Sequence, residues 1–215
     1  MSKIIYEIMH RENCVAQIST VGECKIYLED FMPYDLMLEE SNDFDKRIKN
    51  AMSFYSWCAS RIIPPDRTYA KEILNSIGAS QGVTDRERAQ IALSYHCLSL
   101  LDVFWVKEEN EKIRFEDINL FAHSLSNALV DIALRGHQMT VTNAHLLAND
   151  LSTGGLYPKA WVRKEDGFYL YKDGGRDAVE REVLASKICR CFDCHQVLYE
   201  QGMFENEPVS ISKIM

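Results

Sequence analysis

An α+β fold is predicted for this chain by three features of its 215 residues. Short β-prone runs open the sequence, segments with apolar residues at helical spacing fill its middle, and a second group of short alternating runs with one helix closes it. The expected organisation is a mixed α/β subdomain over residues 1–145, followed by a small antiparallel sheet plus one helix over 146–215. The boundary is set in the irregular, polar stretch 137–151. With 47% apolar residues, ten glycines and five prolines, the chain has material for two modest cores and is neither disordered nor fibrous by composition.

Taken in order, Ile4 to Met9 and Lys25 to Leu28 read as strands separated by a polar link that contains Gly22, a hairpin or small sheet. From Asp43 to Arg61 the period changes, and Phe44, Ile48, Ala51, Met52, Tyr55 and Cys58 share one helical face expected to be buried. Pro64-Pro65 ends that helix. Tyr69 to Ile77 predicts a short helix stopped by Gly78, and Asp85 is the expected cap of a longer one running through Ile91, Tyr95 and Leu98. Val103 to Val106 reads as a buried strand or extended segment. Phe115 to Leu134 predicts another helix, with Ile118, Phe121, Leu125, Leu129 and Ile132 at helix spacing and a stop at Gly136. In the closing part, Ala160-Trp161-Val162 and Phe168 to Lys172 are strands, Val179 to Cys191 is a helix, and Val209 to Ile214 alternates as a strand.

Composition excludes several function classes. A formal charge of −8 argues against general binding to a phosphate backbone, so no direct nucleic-acid contact is expected. The opening residues hold neither an apolar signal core nor a span long enough to cross a membrane, which predicts a cytoplasmic protein with no membrane partner. Seven cysteines, an odd number spread along the chain, do not form an extracellular disulfide framework and are expected to be reduced thiols. Cys191-Phe192-Asp193-Cys194-His195 matches the C-x-x-C-H haem pattern, with Cys189 as a third thiol. Without an export signal or a second C-x-x-C pair, it is read as small residues closing a helix. His96, His123 and His145 have no metal or triad spacing and are read as structural.

The stretch 152–187 carries the chemistry. Ser152-Thr153-Gly154-Gly155-Leu156-Tyr157-Pro158-Lys159 is a glycine-bearing turn before a strand. Phe168-Tyr169-Leu170-Tyr171-Lys172 ends in a lysine, and the following helix bears Glu180 and Glu182. Gly154 and Gly155 permit positive φ and let backbone amides approach phosphate oxygens, although a Gly-Gly pair by itself also suits an ordinary hairpin turn. Lys172 at a strand end could point into a cleft or into solvent, and Lys159 could reach a phosphate or sit in water. Helix geometry leaves Glu180 and Glu182 as alternatives, since residues two apart face different ways. Gly174-Gly175 reads as the loop from strand to helix.

Three stretches in this order resemble the N-terminal portion of the HipA-like serine/threonine kinase family: Ser152 to Ala160, Tyr169-Leu170-Tyr171-Lys172, and Glu182-Val183-Leu184-Ala185-Ser186-Lys187-Ile188-Cys189. Weaker similarity covers Trp57-Cys58-Ala59-Ser60-Arg61-Ile62-Ile63-Pro64 and the run from Leu98 to Val106, while Tyr157 departs from the smaller polar residue usual at its place. The resemblance implies a kinase-like N-lobe in residues 146–215. In it the loop of Gly154 and Gly155 covers ATP, Lys172 meets the phosphates, and Glu182 orients Lys172. It also implies that Ser152 stands where family members autophosphorylate, although Ser152 equally suits a turn or cap.

Kinases place the catalytic base and magnesium ligands after this lysine and glutamate. The stretch 183–215 is too short for that second lobe and has no aspartate beyond Asp193 and no histidine beyond His195. The resemblance therefore implies the N-terminal part of an ATP-dependent protein kinase, with the C-terminal lobe absent and no catalytic residue of its own. Mg would be held by a lobe from the full-length protein or a separate chain. Some members of the family are toxins paired with an antitoxin-type protein. The alternative is a non-enzymatic protein-interaction or regulatory module, a component of a split kinase or a toxin-antitoxin pair. The closing strand is expected to leave an exposed sheet edge.

Overall fold

The computed structural model describes residues 3–76, 84–122 and 153–214. It is an α+β structure with two four-stranded antiparallel sheets. The described residues fall into two compact units, one of 3–63, 84–122 and 153–154 and one of 64–76 and 155–214. The expected boundary near residue 145 lies outside the described residues, and the short segment 64–76 packs with the C-terminal unit.

In the first unit, β1 (Ile5–His10), β2 (Asn13–Ser19), β3 (Cys24–Ile26) and β4 (Phe104–Glu108) are ordered β3-β2-β1-β4. The polar link expected between two strands thus contains a third, β2. Its Val15, Ala16 and Ile18 are fully buried, so its apolar residues line the core despite the polar residues among them. Arg11 takes φ 52° to close the β1–β2 hairpin, and the Trp105 indole of β4 donates to the Arg11 carbonyl at 2.7 Å.

Helix α1 (Phe44–Ser60) starts at Asp43, whose carboxylate accepts from the Lys46 amide at 3.0 Å. Its buried residues are Asn50, Phe54, Trp57, Cys58 and Ala59. Of the face expected to be buried, Cys58 alone is, while Phe44 and Met52 are 73% and 66% exposed. The helix carries two apolar ridges, and packing selects the one bearing Phe54 and Trp57, the larger aromatic payload. Helix α2 (Ala70–Ser76) follows in the second unit, and Gly78, its expected stop, lies outside the described residues.

Helix α3 (Asp85–Ser94) packs against α1. Its cap is Thr84 rather than Asp85: the Thr84 hydroxyl accepts from the Glu87 amide, and the Glu87 carboxylate accepts from the Thr84 amide, a reciprocal capping box. Helix α4 is a single turn (Phe115–Ile118), and Asn119 is extended, with its side-chain oxygen accepting from the Ala122 amide. The long helix expected from Phe115 therefore breaks at Asn119, whose amide side chain competes for backbone groups. Its remaining positions, from 123 on, are outside the described residues.

Arg61 ties the first unit together. Its guanidinium forms a two-pronged pair with Asp102 at 2.7 and 2.8 Å, donates to the carbonyls of Cys97 and Phe104, and lies 4.9 Å from the Trp57 ring centre. The turn it braces, His96-Cys97, has positive φ at both residues. Truncating Arg61 takes the charged partner from Asp102, which keeps the Phe104 amide as a donor, and removes a donor from two carbonyls, so Arg61→Ala should cost about 3 kcal/mol. Urea unfolding followed by the fluorescence of Trp57 and Trp105, both in this unit, measures it.

The second unit holds β5 (Lys159–Lys164), β6 (Gly167–Lys172), α5 (Arg176–Cys189), β7 (Glu200–Phe204) and β8 (Glu207–Lys213), with strand order β5-β6-β8-β7. The strand β8 is interior, paired to β6 on one side and β7 on the other, so it does not form the exposed edge expected of it. The cause is β7, which hairpins onto β8 through Glu205 and Asn206, both at positive φ as a two-residue type I′ turn requires.

Candidate functional site

Sheet register builds the site. Lys159 of β5 pairs with Lys172 of β6, Lys172 with Ser210 of β8, and Ser210 with Gln201 of β7, a single rung across all four strands. Rung partners present their side chains to the same face of a sheet. Helix α5 packs onto β7 and β8 and brings Glu182 to this rung. Glu182 Oε1 accepts from Lys172 Nζ at 3.0 Å, and Oε2 accepts from the Ser210 hydroxyl. Of the two glutamates left open by the sequence, Glu182 therefore meets the lysine, while Glu180 is exposed on α5.

Lys172 has a second neighbour. The Tyr199 ring centre lies 4.1 Å from its ammonium, in cation–π range, and the Tyr199 amide donates to the Ser186 hydroxyl of α5 at 2.8 Å. Burial pulls the Lys172 pKa down, but contacts with Tyr199 and Glu182 outweigh it and the net shift is upward. Lys172 is thus held charged.

The glycine turn lies beside this pair. Gly155 has φ 98°, a conformation that calls for glycine, and a Cβ there would stand 2.5 Å from Lys159 Nζ, the end of a flexible side chain that can move aside. Around Gly154 an added Cβ would meet nothing within 4 Å. The turn is braced by residues 67–68: the Thr68 amide and hydroxyl each donate to the Leu156 carbonyl at 3.0 Å, and Arg67 donates to the Lys159 carbonyl. In the loop after β6, Gly175, at φ 81°, caps α5, with its amide donating to Asp173. Between turn and helix is a cavity of about 440 Å³ lined by Gly155, Lys159, Lys172, Gly174, Glu182 and Ser210 among others. Its size lies within the usual range for a small-molecule site.

Lys159 is half-buried in this cavity, and its pKa is lowered to about 8. Burial is the main cause, the cations Arg67 and Lys172 add to it, and Glu182 offsets part of it. Both lysines are half-buried; Lys172 has a direct carboxylate and ring contact, whereas Lys159 faces like charge. The cavity thus concentrates positive charge against one carboxylate, an arrangement suited to an anion.

Gly154, Gly155, Lys159, Lys172 and Glu182 are described, and the last four line one cavity, whereas Ser152 lies outside the described residues. Ser210, Tyr199 and Arg67 were missed by sequence reasoning. The alternation Val209-Ser210-Ile211-Ser212 shows that Ser210 faces one side of a strand, but its partnership with Glu182 depends on register. Cys191 and Cys194 are exposed and Cys189 half-buried, and among the described residues no group of three His, Cys, Asp or Glu side chains could hold a metal. His96 is structural: Nδ1 lies 3.0 Å from the Val106 carbonyl and Nε2 3.6 Å from Glu111. His123 and His145 are outside the described residues. Among the described residues no helix is long and apolar enough to cross a membrane. No protein-family model matches the chain, and no curated protein matches it either.

Lys159 links stability to pH. A lysine whose folded pKa lies below its ordinary value of 10.5 penalises the folded state while charged. The penalty is complete below about pH 8 and is relieved as pH rises from about 8 toward 10.5. Lys159→Met removes the charge, so its melting temperature should exceed that of the unsubstituted protein below pH 8, with the gap closing above it. Parallel thermal melts across that window check the sign.

Proposed function

We propose that this chain carries the nucleotide-binding part of a HipA-like ATP-dependent serine/threonine protein kinase. The observation that carries the reading is the 3.0 Å Lys172–Glu182 pair joining β6 to α5, beside the Gly155 turn and within the cavity that also holds Lys159. A strand lysine held by a helix carboxylate next to a glycine turn is the arrangement by which kinases meet ATP phosphates. Two ammonium groups face the cavity, which suits it to phosphate oxygens.

In this reading Lys172 contacts the phosphates, Lys159 adds a second cation, and Glu182 keeps Lys172 oriented. ATP supplies the phosphoryl group. In this reading the metal ligands and the catalytic base belong to a C-terminal kinase lobe, in the full-length protein or in a separate chain. An antitoxin-type protein is the partner class that this reading brings with it, and a cytoplasmic setting is the one in which ATP is plentiful.

Calorimetric titration with ATP tests the assignment. Lys172→Ala should weaken affinity at least about tenfold, by loss of a charge-assisted hydrogen bond; unchanged affinity would sink it. An anion beside Lys159 favours its charged form, so ATP binding should take up a proton near pH 8, and affinity should fall as pH rises through that value. The binding enthalpy should accordingly vary with the ionisation enthalpy of the buffer.

A second reading, a non-enzymatic interaction module, draws on the exposed α1 ridge of Phe44, Ile48 and Met52, which lines an open groove of about 760 Å³ in the first unit. It predicts a partner complex that needs no nucleotide and survives Lys172→Ala. Loss of the complex in that variant would count against it.

A further inference from the structure

Among the described residues Glu182 is the carboxylate that contacts Lys172, yet it stands on the partly exposed flank of a helix, its side chain 34% accessible. Nothing in an α-helix fixes the outer torsions of a glutamate, because its terminal rotation is broad. A carboxylate in that position would ordinarily divide its time between the lysine and water, as surface ion pairs do. Here its second oxygen is taken. The Ser210 hydroxyl donates to Oε2 while Lys172 holds Oε1.

Ser210 is well placed to act as a fixed post. It is 1% exposed and lies on β8, paired on both sides within the sheet. It is also the direct register partner of Lys172, so the two groups that grip Glu182 are held at a set spacing by the ladder itself. Tyr199 touches the lysine, whereas Ser210 touches the carboxylate. A phosphate that draws on the Lys172 ammonium would loosen an untethered Glu182; one anchored through Oε2 stays in place.

We propose that Ser210 is a positioning residue that acts through Glu182, holding its carboxylate in the orientation that keeps Lys172 aimed into the cavity. The consequence for ATP rests on the nucleotide reading; the positioning itself does not. Removing the hydroxyl frees the carboxylate to swing toward water, the mean Lys172–Glu182 separation grows, and the ammonium loses part of its support.

The test follows the Lys172 ammonium directly, by NMR titration of the reductively ¹³C-methylated protein, with the signal assigned through Lys172→Arg. Ser210→Ala should lower the Lys172 titration midpoint, Ser210→Thr, which keeps the hydroxyl, should restore it, and in a Glu182→Ala background Ser210→Ala should have no further effect. Where the alanine variant fails to fold by circular dichroism, Ser210→Cys, of similar size and a weak donor, replaces it. An unchanged midpoint, or a drop of equal size without Glu182, overturns the proposal. In the same proteins Ser210→Ala should weaken ATP binding about tenfold. If Lys172→Ala leaves ATP affinity intact, the nucleotide reading falls, and the NMR titration still decides the role of Ser210.

Discussion

The Glu182 carboxylate joins three elements of the second unit at one point. It stands on α5, accepts from Lys172 on β6 through one oxygen and from Ser210 on β8 through the other. An ammonium as buried as that of Lys172 needs compensation to stay charged, because desolvation alone favours its neutral form. Tyr199 adds to that compensation from the loop after α5, and the Tyr199 amide is fastened to Ser186 on the same helix. Placement of α5 on the sheet, the charge state of Lys172 and the polarity of the cavity are consequences of one set of contacts.

Beside that clamp stands Lys159, which burial and the cations Arg67 and Lys172 bias toward its neutral form, with Glu182 offsetting part of the effect. Lys159 has Lys172 as its register partner, its ammonium lies against Gly155, and its pKa falls to about 8. A site that holds one lysine firmly charged and a second near its titration point is electrostatically prepared for an anion, since the incoming charge relieves the repulsion between them. The brace from Arg67 and Thr68 to the carbonyls of Lys159 and Leu156 keeps the glycine turn in place. That division between fixed and strained groups is typical of binding sites.

Much of the candidate site was legible in the chain. Gly154, Gly155, Lys159, Lys172 and a helix glutamate could be named from the order of turn, strand and helix, because those features are local. The choice between Glu180 and Glu182 could not be made from helix geometry, since it depends on which face of α5 meets the sheet. Ser210 was invisible for a related reason: its partnership with Lys172 is a matter of strand register across elements distant in sequence. In the first unit, β2 was concealed by its polar positions, and the buried ridge of α1 was misassigned because two apolar ridges satisfy the same period.

By itself the sequence determined what short-range physics governs: alternating strands, the start of α1 near Asp43, and glycines at positions such as Gly155 and Gly175, which permit positive φ. These follow from backbone sterics and from hydrogen bonds between residues a few positions apart. Tertiary structure alone decided which side of α1 is buried, that β8 lies inside its sheet, and that Lys159, Lys172 and Ser210 share a rung beneath Glu182. Those outcomes depend on competition between surfaces and on strand register, in which residues far apart in the chain must meet before any one pairing is favoured over another.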